Sequence, residues 1–155
     1  MCNFLSALAF RNGDVFTNDF TDSHDQLLEL AGVREQAGNE VCRVEFTPGE
    51  NVCDPAGYTL VVDESREPEW FVEVRERVEN KLRAKVAAMT IATGHRKLIC
   101  GGCWIIGGDA HVGDIIAGRV FCVCGSATID HVYDSATIGN VCGSATIKED
   151  VRSQK

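Results

Sequence analysis

The chain has 155 residues, 45% of them hydrophobic, and its 15 Lys and Arg against 23 Asp and Glu give a net charge of −8. That composition excludes a disordered chain, and no apolar run reaches the roughly 18 residues of a membrane span. The acidity argues against a nucleic-acid partner or an anionic membrane surface.

The start, Met1-Cys2-Asn3-Phe4, lacks a basic segment, and the apolar stretch to Phe10 is too short for a signal peptide. A cytoplasmic, reducing setting is therefore expected, with the 8 cysteines as free thiols rather than a disulfide framework. Asn3–Phe10 predicts a strand, Arg11-Asn12-Gly13-Asp14 a hairpin turn, and Val15–Phe20 the returning strand. Ser23 followed by Gln26 is a capping-box pattern, opening a short helix through Leu30 that stops near Gly32. Cys42, Val44 and Phe46 alternate with Arg43 and Glu45, which predicts a half-buried strand ended by Pro48-Gly49. Tyr58–Val62 predicts another strand. From Pro68 to about Met89 the spacing of Phe71, Val74, Val78 and Leu82 predicts a long amphipathic helix.

The last third is a repeat array. Ser-Ala-Thr-Ile recurs at Ser126, Ser135 and Ser144, nine residues apart, with weaker copies upstream. Nine residues are too few to close a coil, so two copies per turn, roughly 18 residues, predict a parallel β-solenoid of roughly three turns. Ala, Ile and Val would fill it, and Ser and Thr would face outward. The charged tail from Lys148 would blunt its exposed last rung. The fold class expected is thus an α+β N-terminal head over residues 1–92, followed by a short parallel β-solenoid of nine-residue repeats over 97–155. Residues 1–90 hold 9 Lys and Arg against 17 Asp and Glu, while 91–155 hold 6 of each, so the acidity belongs to the head.

With both ends in view, the chain resembles a group of small bacteriophage proteins, notably of phages infecting actinobacteria. The resemblance rests on the Met-Cys-Asn-Phe start, Thr21-Asp22-Ser23-His24, the stretch Gly101–Ile105, and the Ser-Ala-Thr-Ile repeats. It implies an accessory protein acting inside the host cell. It carries over no activity and no catalytic residue.

Each candidate site has a plainer reading beside it. Cys2 would become an N-terminal thiol nucleophile if Met1 were removed, but such enzymes need about twice this length, and Asn3 replaces their usual Gly. A small residue at the head of a buried strand explains Cys2 equally well. Asp22, His24 and Asp25 follow the hairpin and could form an acid/base or binding cluster; alternatively Ser23 caps a helix and Asp25 favours its N-terminal end. Cys100, Cys103, Cys122 and Cys124 have a zinc-like look. The 18 residues between the pairs equal one solenoid turn, however, so small apolar residues filling a narrow coil are favoured over a metal site. His95, His111 and His131 show no strand or helix spacing to one another, and the Gly-rich calcium repeat of other nine-residue rolls is missing.

No cofactor is implied, and no catalytic constellation stands out, which favours binding over catalysis. The leading expectation is an interaction module. Its acidic head would bind a host protein or small molecule, on a solenoid stem that spaces or oligomerises it. The alternatives are a small enzyme using Cys2 and a self-assembling structural part of the virion.

Overall fold

The computed structural model describes residues 4–34 and 40–153. The chain divides into two compact units, one ending at Lys85 and the other beginning at Val86. The division falls within the long helix, because its last buried residues, Val86 and Met89, belong to the second unit.

The first unit holds an antiparallel sheet and two helices. Strands β1 (Leu5–Phe10), β2 (Val15–Phe16), β3 (Val41–Thr47) and β4 (Thr59–Val62) pair in the order β2-β1-β3-β4. Gly13, at φ 79°, closes the β1–β2 hairpin, and its N–H donates to the Phe10 carbonyl at 2.8 Å. The returning strand stops at Phe16, short of the Phe20 expected, because the Asn18 side chain accepts from the Phe20 N–H at 2.8 Å and turns the backbone out of the ladder.

Period-two alternation sorts β3 into two faces. Cys42, Val44 and Phe46 face α2 (Phe71–Met89), whose Arg83 guanidinium lies over the Phe46 ring at 5.7 Å. Phe71, Val74, Val78 and Leu82 recur along α2 at three- or four-residue intervals and are all buried. The opposite face carries Ser6, Leu8, Val41, Arg43 and Glu45, and α1 (His24–Leu30) packs there through Leu27. Leu8 and Leu27 are fully buried, each worth about 1.5–3 kcal/mol over exposure. Both faces of β3 are thus covered, and Glu45, expected on an open face, is only 8% exposed.

Ser23 occupies the N-cap of α1, but its side chain makes no cap hydrogen bond. Thr21 takes over part of the expected box: its hydroxyl donates to Gln26 Oε1 and accepts from the Ser23 N–H. The helix ends at Ala31 and Gly32, the latter at φ 67°.

The second unit is a parallel β-solenoid-like sheet, β5 (Thr90–Ile91), β6 (His95–Ile106), β7 (His111–Val123), β8 (Thr128–Val141) and β9 (Thr146–Asp150), paired in chain order. It makes about four turns rather than roughly three, because β5 and β6 form rungs without carrying the Ser-Ala-Thr-Ile motif. Thr128 and Ile129 pair with Thr146 and Ile147, 18 residues on. Val112, Ile115, Val120, Val123, Ala127, Ile129, Val132 and Ala136 fill the core, while Ser126, Ser135 and Thr137 are exposed. Gly108, Gly125 and Gly143 turn the chain between rungs, all with positive φ. Beyond β9, Arg152 pairs with Asp150 at 2.6 Å and donates to the Ala136 carbonyl.

Candidate functional site

In the first unit, His24, Glu45 and Asp63 each present one ligand atom within 4.8 Å of the other two. Among the described residues no other set of three His, Cys, Asp or Glu does so. Three separate elements place them. His24 is the first residue of α1, Glu45 lies mid-β3, and Asp63 follows the end of β4. The Asp63 N–H donates to the Arg43 carbonyl at 2.9 Å, and the Arg43 N–H donates to Glu64 Oε1 at 3.1 Å. Those two bonds prolong the β3–β4 ladder by side chain and backbone, and so hold Asp63 beside β3.

His24 is 6% exposed, and both of its ring nitrogens have partners. Nε2 lies 3.0 Å from the Val44 carbonyl oxygen, which can only accept, so Nε2 carries the proton of that bond. Nδ1 lies 3.0 Å from Asp63 Oδ2. Asp63 is about half exposed, which leaves the site open to solvent on one side. Glu45 differs from both neighbours. The residue is 8% exposed as a whole, but its carboxylate reaches solvent and has no hydrogen bond or ion pair among the described residues. Its cross-strand neighbour Ser6 is 1% exposed, and the Ser6 hydroxyl also lacks a partner. Arg43, on the same face of β3, turns to Asp25 at 3.8 Å.

Of the residues singled out in the sequence, His24 is therefore in the cluster and Asp22 and Asp25 are not. Asp25 sits in the first turn of α1 with its side chain 91% exposed. Cys2 lies outside the described residues. Glu45 and Asp63 escaped notice because they adjoin His24 only through sheet register; a charged residue in an apolar-alternating strand was the one hint.

The four cysteines with zinc-like spacing do not converge. Cys103 pairs in register with Arg119, and Cys122 with Ile105, because irregularities in β6 on either side of Cys103 shift the alignment. Cys100 is exposed and Cys103 buried. The close thiol contact is instead Cys122 with Cys142, at 3.9 Å. Burial, then the contact with Cys142, pushes the Cys122 thiol up to about 12.

The histidines judged unrelated by spacing are brought together by the coil. His95 and His111 are register partners with ring centroids 4.7 Å apart. His111 Nε2 lies 2.8 Å from Asp130 Oδ2, and Lys148 Nζ lies 2.7 Å from Asp130 Oδ1 as an ion pair. Lys148 first and His111 second hold the Asp130 carboxyl below the usual carboxylate range. His131 Nδ1 lies 2.8 Å from Asp114 Oδ1 and its Nε2 lies 3.4 Å from Glu149 Oε2. The solenoid turn length was the signal for these ladders. They are outward-facing, and they join successive rungs.

Among the described residues no helix is long and apolar enough to cross a membrane. No family model matches the chain, and no curated protein or solved structure is similar to it.

Proposed function

We propose that the protein is a binding module, with its ligand site in the first unit at His24, Glu45 and Asp63 and with the solenoid as a stem. One observation carries this reading: His24, Glu45 and Asp63, from three separate elements, bring one ligand atom each within 4.8 Å of the others. Two carboxylates held this close repel each other unless something is shared between them. A ligand that joins all three groups supplies it. The same unit exposes Phe20 at 84% and Leu30 at 58%, two apolar side chains lining one groove with Thr21 and Gln26, which supports a protein partner on that side.

The stem reading rests on the paired rungs. Each nine-residue copy serves as half a turn, and the ion-paired ladders stiffen one edge. From Ser135 to Val141, β8 has no further strand beside it among the described residues, and Arg152 covers part of that edge through the Ala136 carbonyl. The family resemblance supports placing this module among bacteriophage accessory proteins acting inside the host cell.

The test is mass spectrometry of purified protein under native and denaturing conditions, for the natural chain and Glu45→Gln. Extra mass that is present only under native conditions and is absent from the variant supports the reading. Equal masses throughout, with no response to added ligands, overturn it.

A further inference from the structure

Resting on that binding site, we infer that His24, Glu45 and Asp63 bind a divalent transition-metal ion of the Mn2+ or Fe2+ class.

The Val44 carbonyl fixes the proton on Nε2, which leaves Nδ1 directed at Asp63 with its lone pair. An ionised carboxylate also offers only lone pairs. Two acceptors 3.0 Å apart require either a second proton on the ring or a cation shared between them. A second carboxylate, Glu45, brings an oxygen within 4.8 Å of both. With a doubly protonated ring, one positive charge would face two carboxylates that still repel each other. A divalent ion shared by a neutral imidazole and two carboxylates balances the charge and joins all three.

The hydrogen bond from Nε2–H to a backbone carbonyl is the support that metal-ligating histidines ordinarily have, since it fixes the tautomer and aims the other nitrogen. Cis ligands of a six-coordinate ion at about 2.1 Å lie about 3 Å apart, and Nδ1 and Asp63 Oδ2 are separated by 3.0 Å. One nitrogen and two carboxylate donors suit Mn2+ or Fe2+ better than a thiol-seeking ion or an all-oxygen Ca2+ site. Three protein ligands, with Asp63 half exposed, leave positions open to water or to a further ligand.

Mn2+ is the probe of choice, because the chain's many thiols compete for it poorly. Titration followed by loss of the free-Mn2+ electron paramagnetic resonance signal should show one ion per chain. Glu45→Gln, Asp63→Asn and His24→Gln should each weaken binding at least tenfold, while Asp22→Asn and Asp25→Asn should leave it unchanged. Circular dichroism identifies any variant that fails to fold, and the remaining two then carry the test. No binding to the natural chain, tighter binding of Mg2+ or Ca2+ than of Mn2+, or full binding by folded Glu45→Gln and Asp63→Asn overturns the assignment. A chain that ignores Mn2+ yet holds another ligand in a Glu45-dependent way loses the metal and keeps the binding site. A chain that does neither loses both.

Discussion

Ser6 and Glu45 are direct cross-strand partners on the α1-covered face of the first sheet, and neither side chain has a hydrogen-bond partner among the described residues. Cross-strand pairs of this kind ordinarily satisfy one another or face water. Here the Ser6 hydroxyl is enclosed without a partner, while the Glu45 carboxylate reaches solvent beside His24 and Asp63.

Ser6→Ala therefore tests whether the hydroxyl serves folding. With metal removed, deleting an unpartnered buried hydroxyl should leave stability unchanged or raise it, by up to about 1 kcal/mol. Leu27→Ala, a control in the neighbouring apolar cluster, should cost about 2–5 kcal/mol. Urea unfolding of both variants measures the contrast. A Ser6→Ala loss above 1 kcal/mol would mean that the hydroxyl is already satisfied.

The solenoid turns make a different demand. Gly125 sits at φ 67°, and a Cβ there would lie 2.7 Å from the Gly108 carbonyl oxygen of the previous rung. Neither the backbone conformation nor the stacked rung leaves room for a side chain. Gly125→Ala should destabilise the second unit by about 1–3 kcal/mol. Gly101→Ala, where a Cβ meets nothing within 4 Å and φ is not positive, should cost well under half of that. Equal losses would contradict the stacking account.

Acid should loosen the last rungs. The carboxyls of Asp130 and Asp150 are held below their ordinary value of 3.8, the first by Lys148 and then His111, the second by Arg152. A lowered folded-state value means that these pairs stabilise fully above pH 3.8 and lose that contribution as pH falls through the lower value. Backbone amide exchange in β8 and β9 should therefore accelerate below about pH 4. Lys148→Met should remove part of that pH dependence; an unchanged profile would count against the Lys148–Asp130 pair.

Thiol chemistry separates the cysteines. Cys122 and Cys42 are buried, and both thiols are pushed up to about 12, chiefly by that burial. Cys100 and Cys142 are exposed. At pH 8, iodoacetamide should label Cys100 and Cys142 in the folded protein and spare Cys42 and Cys122 until it unfolds, as peptide mapping would show. A raised value also means stability that is complete below pH 9 and is lost as pH rises toward 12. Fast labelling of Cys122 without unfolding would contradict its placement.

The solenoid was legible because period is a local property: three copies of one tetrapeptide at fixed spacing fix the alternation of Ala and Ile inward with Ser and Thr outward. For the cysteines, spacing does not give the rung neighbours, since irregularities in β6 put Cys103 opposite Arg119. It also hid the histidine ladders, whose rung offsets are clear only once the pairing is known. In the first unit the sequence marks His24 but offers only its neighbours Asp22 and Asp25 as companions, beside the plainer reading of a helix cap. Its actual companions, Glu45 and Asp63, come from β3 and the end of β4 through long-range pairing. Glu45 read as a solvent-facing residue because alternation shows that a strand has two faces, not that α1 covers one of them.

The most direct test is thermal unfolding of the natural chain and Glu45→Gln, each with and without Mn2+. Metal at about a hundred times its Kd should stabilise the natural chain by roughly 2.7 kcal/mol. Glu45→Gln, relieved of the repulsion between Glu45 and Asp63, should match or exceed the natural chain when metal is absent and gain nothing when it is added. A variant that is less stable without metal, and that Mn2+ still stabilises as much as the natural chain, would contradict the account.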